Sequence, residues 1–175
     1  MLSPAECARW VAAIDARMDA AAADPGLSLS GGLCFAERDA GLAEAVRLRA
    51  FGGAPGVLVG ERWFCTRYGG DPRSGATTHL GNHTDGTCAL GGGLRSNATV
   101  LIYLNGGFAP GVASTTLMSG PPPDGAPVRS VAPEAGKALV LRQDAWHRGD
   151  EVPEGAAKYL LRGDAFVPPA RLSAA

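Results

Sequence analysis

At residue 57 the periodicity of this chain changes. Before that point apolar residues recur every three to four positions, and beyond it every two. An amphipathic helix needs the first spacing and a half-buried strand the second, so the order is helices first, then a run of strands. Residues 3–23 read as a helix: Ser3 can cap it, Pro4 takes the first helical position, and Glu6 completes a capping box. Cys7, Trp10, Val11, Ile14 and Met18 fall on one face, and Asp24-Pro25-Gly26 ends the segment. A second helix covers 39–50, with Asp39 as cap, Leu42, Ala45 and Val46 inward, and glycines from Gly52 as its stop. Residues 57–68 then alternate well enough for one or two strands, 69–82 form a polar Gly-rich loop, and 97–105 (NATVLIYLN) is the clearest strand. Residues 119–127 (SGPPPDGAP) read as a surface turn, 136–143 and 157–163 as two more strands, and the tail after Pro168 as loose. With 25 glycines and 13 prolines to supply tight turns, the expected class is α+β with a mainly antiparallel sheet. Residues 1–175 form one domain: helical support over 1–56, a β core over 57–167 and a tail over 168–175.

Bulk chemistry narrows the partners. Apolar residues are 46% and charged residues 19% of the chain, the balance of a globular protein. A net charge of -1 gives no reason to expect nucleic acid or an anionic membrane as partner, and leaves the oligomeric state open. Cys7, Cys34, Cys65 and Cys88 form no C-x-x-C pair and have no zinc-site spacing. The N-terminus opens on a helix signature without a basic segment or an apolar run of membrane length. Four free or buried thiols in a reducing cytoplasm is the expectation.

The chain has three histidines, His79, His83 and His147. In His83-Thr84-Asp85 an imidazole and a carboxylate stand two apart, so in extended chain both point to one face and reach one ion. His147 lies far along the chain, after the 136–143 strand. A His-x-Asp pair with one distal His is the 2-His-1-carboxylate set, which leaves three coordination positions open and suits non-haem iron(II). A lone His-x-Asp is common in solvated turns; the context of all three residues separates this one from that background. His79, four before His83, reads as an ordinary loop histidine, with a substrate contact as the alternative.

That context resembles the 2-oxoglutarate/iron(II) dioxygenases, in particular their prolyl-4-hydroxylase-like branch, nearly end to end. LSPAEC and its helix resemble the family's opening helix, and RDAGLAEAVRLR its second. Arg67-Tyr68 resembles the strand before the metal motif, NHTDG at 82–86 the motif itself, and RSNATVLIYLN at 95–105 a strand shortly after it. GKALVLRQDAWHRG at 136–149 resembles the strand that delivers the distal histidine, and VPEGAAKYLLRGDAF at 152–166 the last core strand. The resemblance implies a double-stranded β-helix, or jelly roll, braced by the N-terminal helices, with iron(II) on His83, Asp85 and His147. The 69–82 loop is longer than the family's link, and its G-G-x-T-x-F segment survives only as the diluted FAPGVASTTLM at 108–118.

The resemblance also implies a buried cation for the far carboxylate of 2-oxoglutarate, about ten residues after the distal histidine. Lys158 stands eleven after His147 and Arg162 fifteen after, on one face of a strand with Leu160 and Asp164. Lys158 is the favoured partner. Arg162, roughly 13 Å further along the strand, is then free for an acidic substrate group or for a bridge to Asp164 or Asp144. Tyr68 and Tyr103 resemble positions that line the same pocket, and Thr99 and Asn105 share the parity of Tyr103. Arg73 is a candidate substrate contact; Arg95 and Arg142 read as structural or as supporting the ligands.

The implied activity is oxidative decarboxylation of 2-oxoglutarate with O₂, giving succinate and CO₂, coupled to hydroxylation of a C–H bond, with ascorbate as accessory reductant. Since Asp85 fills the position that halogenating relatives give to a small residue, hydroxylation is expected over chlorination. A chain near the size of the bare core favours a small molecule, such as an amino acid or other metabolite, as substrate. A peptidyl-prolyl hydroxylase and a non-enzymatic cupin-like binder are the alternatives; the binder would need no buried cation.

Overall fold

The computed structural model describes residues 1–23, 34–69 and 78–172. The Asp24-Pro25-Gly26 stop, most of the 69–82 loop with Arg73, and the last three residues lie outside them. Helix α1 spans Pro4–Ala23 and opens on the expected capping box: Glu6 N–H donates to Ser3 Oγ (3.2 Å) and Ser3 N–H to the Glu6 carboxylate (2.7 Å). Helix α2 spans Ala40–Phe51. Asp39 caps it by accepting from Leu42 N–H at 2.7 Å, and Gly52, at φ 62°, ends it in the left-handed conformation that glycine adopts without strain. The helix turns Leu42, Ala43 and Val46 inward, so Ala43 takes the place expected of Ala45, which is only half-buried.

Between the helices lies a strand that the periodicity did not reveal, β1 (Cys34–Arg38). The chain is therefore not helices first and strands after, and 1–56 contributes to the sheet as well as to its support. Then come β2 (Leu58–Gly69), β3 (Leu80–His83), the hairpin β4 (Ala89–Gly91) and β5 (Leu94–Arg95), and β6 (Ala98–Tyr103). Next are β7 (Thr115–Met118), β8 (Pro127–Val131), β9 (Ala138–Arg142), β10 (His147–Gly149) and β11 (Ala157–Phe166). Residues 57–68 thus yield one strand, and 119–127 turn between β7 and β8. The chain beyond Pro168, expected loose, makes a helical turn, α3 (Pro169–Leu172).

Two antiparallel sheets carry the molecule, in the orders β1-β2-β11-β6-β9 and β3-β10-β7-β8. Strict alternation divides the larger sheet. One face (Trp63, Cys65, Val100, Ile102 and Leu161) packs with Cys7, Ile14, Met18, Leu42 and Val46 of the two helices into the main core. Asp15 fastens α1 to that face, accepting from Arg67 (2.7 Å) on β2 and the Tyr159 hydroxyl (2.8 Å) on β11. The opposite face (Leu101, Tyr103, Leu141 and Leu160) meets Val131 of the smaller sheet in a second, smaller core. Of the larger sheet's long inner strands, polar side chains therefore enter the gap from the even-numbered positions of β2 and β11 and the odd-numbered ones of β6 and β9.

Gly163 is fixed by this packing. It pairs with Trp63 across β11 and β2, and a Cβ there would stand 2.4 Å from the fully buried indole. Gly163→Ala should destabilise the fold by about 1–3 kcal/mol in urea titration, as overpacking does. Gly120→Ala, with nothing within 4 Å of its added methyl, should stay within about 0.5 kcal/mol of the parent.

Candidate metal centre and its cavity

The three residues singled out as ligands meet at one end of the gap between the sheets. His83 closes β3 and His147 opens β10, and the antiparallel register sets them directly opposite each other. Their ring centroids are 4.2 Å apart at an interplanar angle of 51°. Asp85 lies just beyond the end of β3, in irregular chain rather than in a strand, and its N–H donates to Gln143 O at 2.9 Å. Donor atoms of His83, Asp85 and His147 all lie within 4.8 Å of one another, and Asp85 Oδ2 is 3.7 Å from His147 Nε2.

The tautomers follow from the hydrogen bonds. His83 Nδ1 stands 2.7 Å from Gly81 O and His147 Nδ1 3.0 Å from Ala145 O. A carbonyl only accepts, so each Nδ1 carries the proton and each Nε2 presents a lone pair toward Asp85 and the partner ring. Burial pulls the His147 pKa below the usual histidine value, against the opposing pull of the Ala145 bond, and so favours the neutral form that binds metal.

Asp85 is nearly buried and held from two sides. Oδ2 accepts from Thr99 Oγ1 at 2.6 Å. Oδ1 stands 3.1 Å from Arg162 Nε, an ion pair whose N–H is not aligned for a hydrogen bond. Arg162 also donates to Asp164 Oδ1 at 3.2 Å. Asp164 accepts from Gln143 Nε2 at 2.8 Å, and Gln143 Oε1 accepts from Ser96 Oγ at 3.0 Å. A run of buried polar groups therefore ends on the carboxylate, and each charge in it has an opposite neighbour. Arg162 thus makes the expected bridge to Asp164, and its second partner is Asp85. Asp144 pairs instead with Arg142, at the surface.

The triad opens into a cavity of about 460 Å³ lined also by Tyr68, Leu80, Thr115, Lys158 and Leu160. Lys158 is 2% exposed. Its ammonium lies 5.5 Å from the Tyr103 ring centroid and 5.9 Å from that of Tyr68, and reaches Ser114 O only at 3.5 Å. No carboxylate forms an ion pair with it among the described residues, and burial pushes its pKa down to about 8. A buried ammonium on the cavity wall, with aromatic faces, one distant carbonyl and only the field of Asp150 to offset its burial, can receive an anion.

Other expected residues divide. Tyr68 lines the cavity, and burial lifts its hydroxyl to about 12, so it remains a donor. Tyr103 does not line it: fully buried, it stands behind the wall and donates to Thr115 Oγ1 at 2.7 Å. Thr99 reaches the centre through Asp85, whereas Asn105 turns away and ties β6 to β11, donating to Ala157 O and accepting from Tyr159 N–H. His79 is exposed and outside the cavity. Arg95 donates to Thr87, a structural contact. Thr115 was missed. Its oxygen accepts from Tyr103, so its own proton is free to donate into the cavity beside Lys158. The β-branched pair in STTLM was the available signal, hidden because that stretch carries few other strand features.

No protein-family model matches the chain, and no curated protein resembles it in sequence. Solved structures do share its fold. The non-haem α-ketoglutarate-dependent carbocyclase SnoK from nogalamycin biosynthesis superposes with TM-score 0.60 at 13% identity, over 100% of this chain and 83% of that one. AviO1 from Streptomyces viridochromogenes Tue57 gives 0.59 at 15% identity, over 96% and 87%. A prolyl-4-hydroxylase from Pseudomonas putida gives 0.51 at 19% identity, over 95% and 89%. The mostly antiparallel fold of this chain is thus the fold of structures that include 2-oxoglutarate-dependent enzymes.

Nickel(II), a redox-inert stand-in for iron(II), should bind the protein with a ligand set that calorimetry resolves. His83→Ala, Asp85→Ala and His147→Ala should each weaken it by at least roughly 100-fold, the scale of losing a ligand or its orientation. His79→Ala should leave it unchanged; loss of nickel in that variant with retention in His147→Ala would redraw the centre.

Proposed function

We propose that this chain is a 2-oxoglutarate- and O₂-dependent non-haem iron(II) oxygenase that hydroxylates a small organic molecule. The observation that carries it is a pairing within one cavity: a two-imidazole, one-carboxylate cluster with both Nε2 atoms available, and a buried ammonium that no carboxylate among the described residues pairs with. On this reading β2, β3 and β6–β11 form the double-stranded β-helix, α1 and α2 brace its outer face, and the chain belongs with the prolyl-4-hydroxylase-like branch. The free thiols of Cys7, Cys65 and Cys88 fit a cytoplasmic location.

The donor set fits iron(II): neutral imidazoles and a carboxylate on one side, with the opposite side open to the cavity. When bound, the metal would supply the activation of O₂ that no side chain provides. The chain's residues do the rest. His83, Asp85 and His147 would hold the ion. Thr99 and Arg162 keep the Asp85 carboxylate turned toward it. Lys158, with Thr115 and Tyr68 as neutral donors, would receive the far carboxylate of 2-oxoglutarate and fix its keto-acid end toward the ligands. Leu160 and Leu80 keep water from the space where the substrate C–H bond would sit. Arg162 is committed to two carboxylates, which leaves Lys158 as the co-substrate cation. A cupin-like binder without a co-substrate would have no use for it. Solved structures of this fold include an epimerase and a carbocyclase; hydroxylation is preferred here to halogenation because Asp85 completes the ligand set.

Iron-loaded protein should form succinate from 2-oxoglutarate, and screening pools of amino acids, other metabolites and prolyl peptides for stimulation of succinate release identifies the substrate class. Absence of succinate with every pool would defeat the proposal. Lys158→Ala should raise the 2-oxoglutarate KM by roughly 30-fold or more, the cost of deleting a buried charge partner, whereas Arg162→Ala should act mainly through metal retention.

The pKa of Lys158 gives a second test. Burial penalises its charged form, so the penalty to folding is full below pH 8 and fades as pH climbs toward the ordinary lysine value. A carboxylate, however, binds the charged form. Binding of 2-oxoglutarate to nickel-loaded protein should be flat below about pH 8 and weaken about tenfold per unit above it. A profile flat to pH 10 would remove Lys158 from the site.

A further inference from the structure

We infer that the cavity continues into a second anion-recognition site, built on Arg62 and Phe64, which selects a prime substrate carrying a carboxylate or comparable anionic group. This rests on the function proposed above and names the substrate class for that same site. A groove of about 670 Å³ runs on from the metal cavity along the inner face of β2, and the two share Phe64, Gly86 and Arg162 as lining. Three arginines face the groove: Arg38, Arg62 and Arg162. Two are already spent. Arg38 pairs with Glu61 at 2.9 Å, and Arg162 with Asp85 and Asp164. Arg62, opposite Arg38 across β1 and β2, has no hydrogen bond and no carboxylate within ion-pair distance among the described residues; its guanidinium lies 4.9 Å over the Phe64 ring.

That arrangement differs from an ordinary surface arginine. The Arg162 guanidinium also lies over Phe64, at 5.2 Å, so the ring is held by a buried charge network and in turn supports Arg62. Stacking spends the face of the guanidinium and leaves its N–H edge free, the edge that grips a carboxylate with two parallel bonds. Position along the strand then assigns the two unpaired cations to different ligands. Lys158 is paired with Tyr68, and Arg162, which touches Asp85, with Phe64. Tyr68 is four residues to one side of Phe64, roughly 13 Å, and Arg62 two residues to the other, roughly 7 Å. A co-substrate reaching from the metal to Lys158 leaves Arg62 unoccupied on the opposite side. A second anion there would have its reacting carbon several bonds from its charge, and Phe64 would cover the chain between them.

The test uses full-length protein loaded with nickel(II) and saturated with 2-oxoglutarate, so that Lys158 is occupied and no turnover occurs. The probes are ω-phenyl carboxylates from phenylacetate to 5-phenylvalerate, each beside its neutral amide, with binding read by calorimetry and ligand-observed NMR. At least one acid should bind about tenfold more tightly than its amide. Arg62→Gln, an exposed change that leaves the core untouched, should abolish the preference, and Arg38→Gln should keep it. No acid-over-amide preference across the series, or one that survives Arg62→Gln, overturns the inference. Failure of 2-oxoglutarate itself to bind the nickel-loaded protein would instead remove the function proposed above.

Discussion

The antiparallel pairing of β10 with β3 is the constraint on which the site depends. It is a contact between chain segments separated by the whole length of the second sheet, and it sets His147 opposite His83. Side chains opposite each other across two strands share a face, so this one register decides that both imidazoles look into the same gap. A slip by one residue would send His147 to the outside of the sheet. The backbone then finishes the alignment, because Gly81 and Ala145 each present a carbonyl that fixes the ring by its Nδ1 proton.

Charge placement inside the gap follows from the same alternation. Every second residue of β11 enters it, which brings in Lys158, Arg162 and Asp164 together. An interior tolerates charges when they are paired, and three of the four nearest the ligands are: Asp85, Arg162 and Asp164 balance one another with help from Thr99 and Gln143. Lys158 is the exception. On the function proposed above, the far carboxylate of 2-oxoglutarate would supply the partner that the described residues do not.

Much of this was legible in the residue string. Helix ends were, because capping is local chemistry: Ser3 with Glu6, Asp39 with Leu42, Gly52 after Phe51. The long inner strands were, because their alternation is sustained. The motif NHTDG and the distal His147 pointed to one candidate ligand set in the sequence, and the structure brings His83, Asp85 and His147 together. Short elements were not. β1, β3 and β10 are of three to five residues and carry polar or catalytic-type side chains, so no period develops. Nor could spacing tell that Tyr103 stops behind Thr115 or that Asn105 bonds only backbone. Those outcomes depend on which of two inward positions lies nearer the open end. The contact between Arg162 and Asp85 joins residues far apart in sequence, and only the sheet register decides it.

Strand β11 carries two unrelated jobs on its two sides. Tyr159, Leu161, Gly163 and Ala165 face the helices and the main core, whereas Lys158, Arg162 and Asp164 face the cavity and its groove, with Leu160 shared between the cavity and the smaller core. The backbone keeps the two sets from mixing, since no side chain can serve both. A lineage or an engineer can therefore rewrite the polar even positions to accept other ligands while the odd ones and Leu160 go on specifying the same shape. One ten-residue strand acts in this way as two separable inheritances, one for architecture and one for the lining of the cavity.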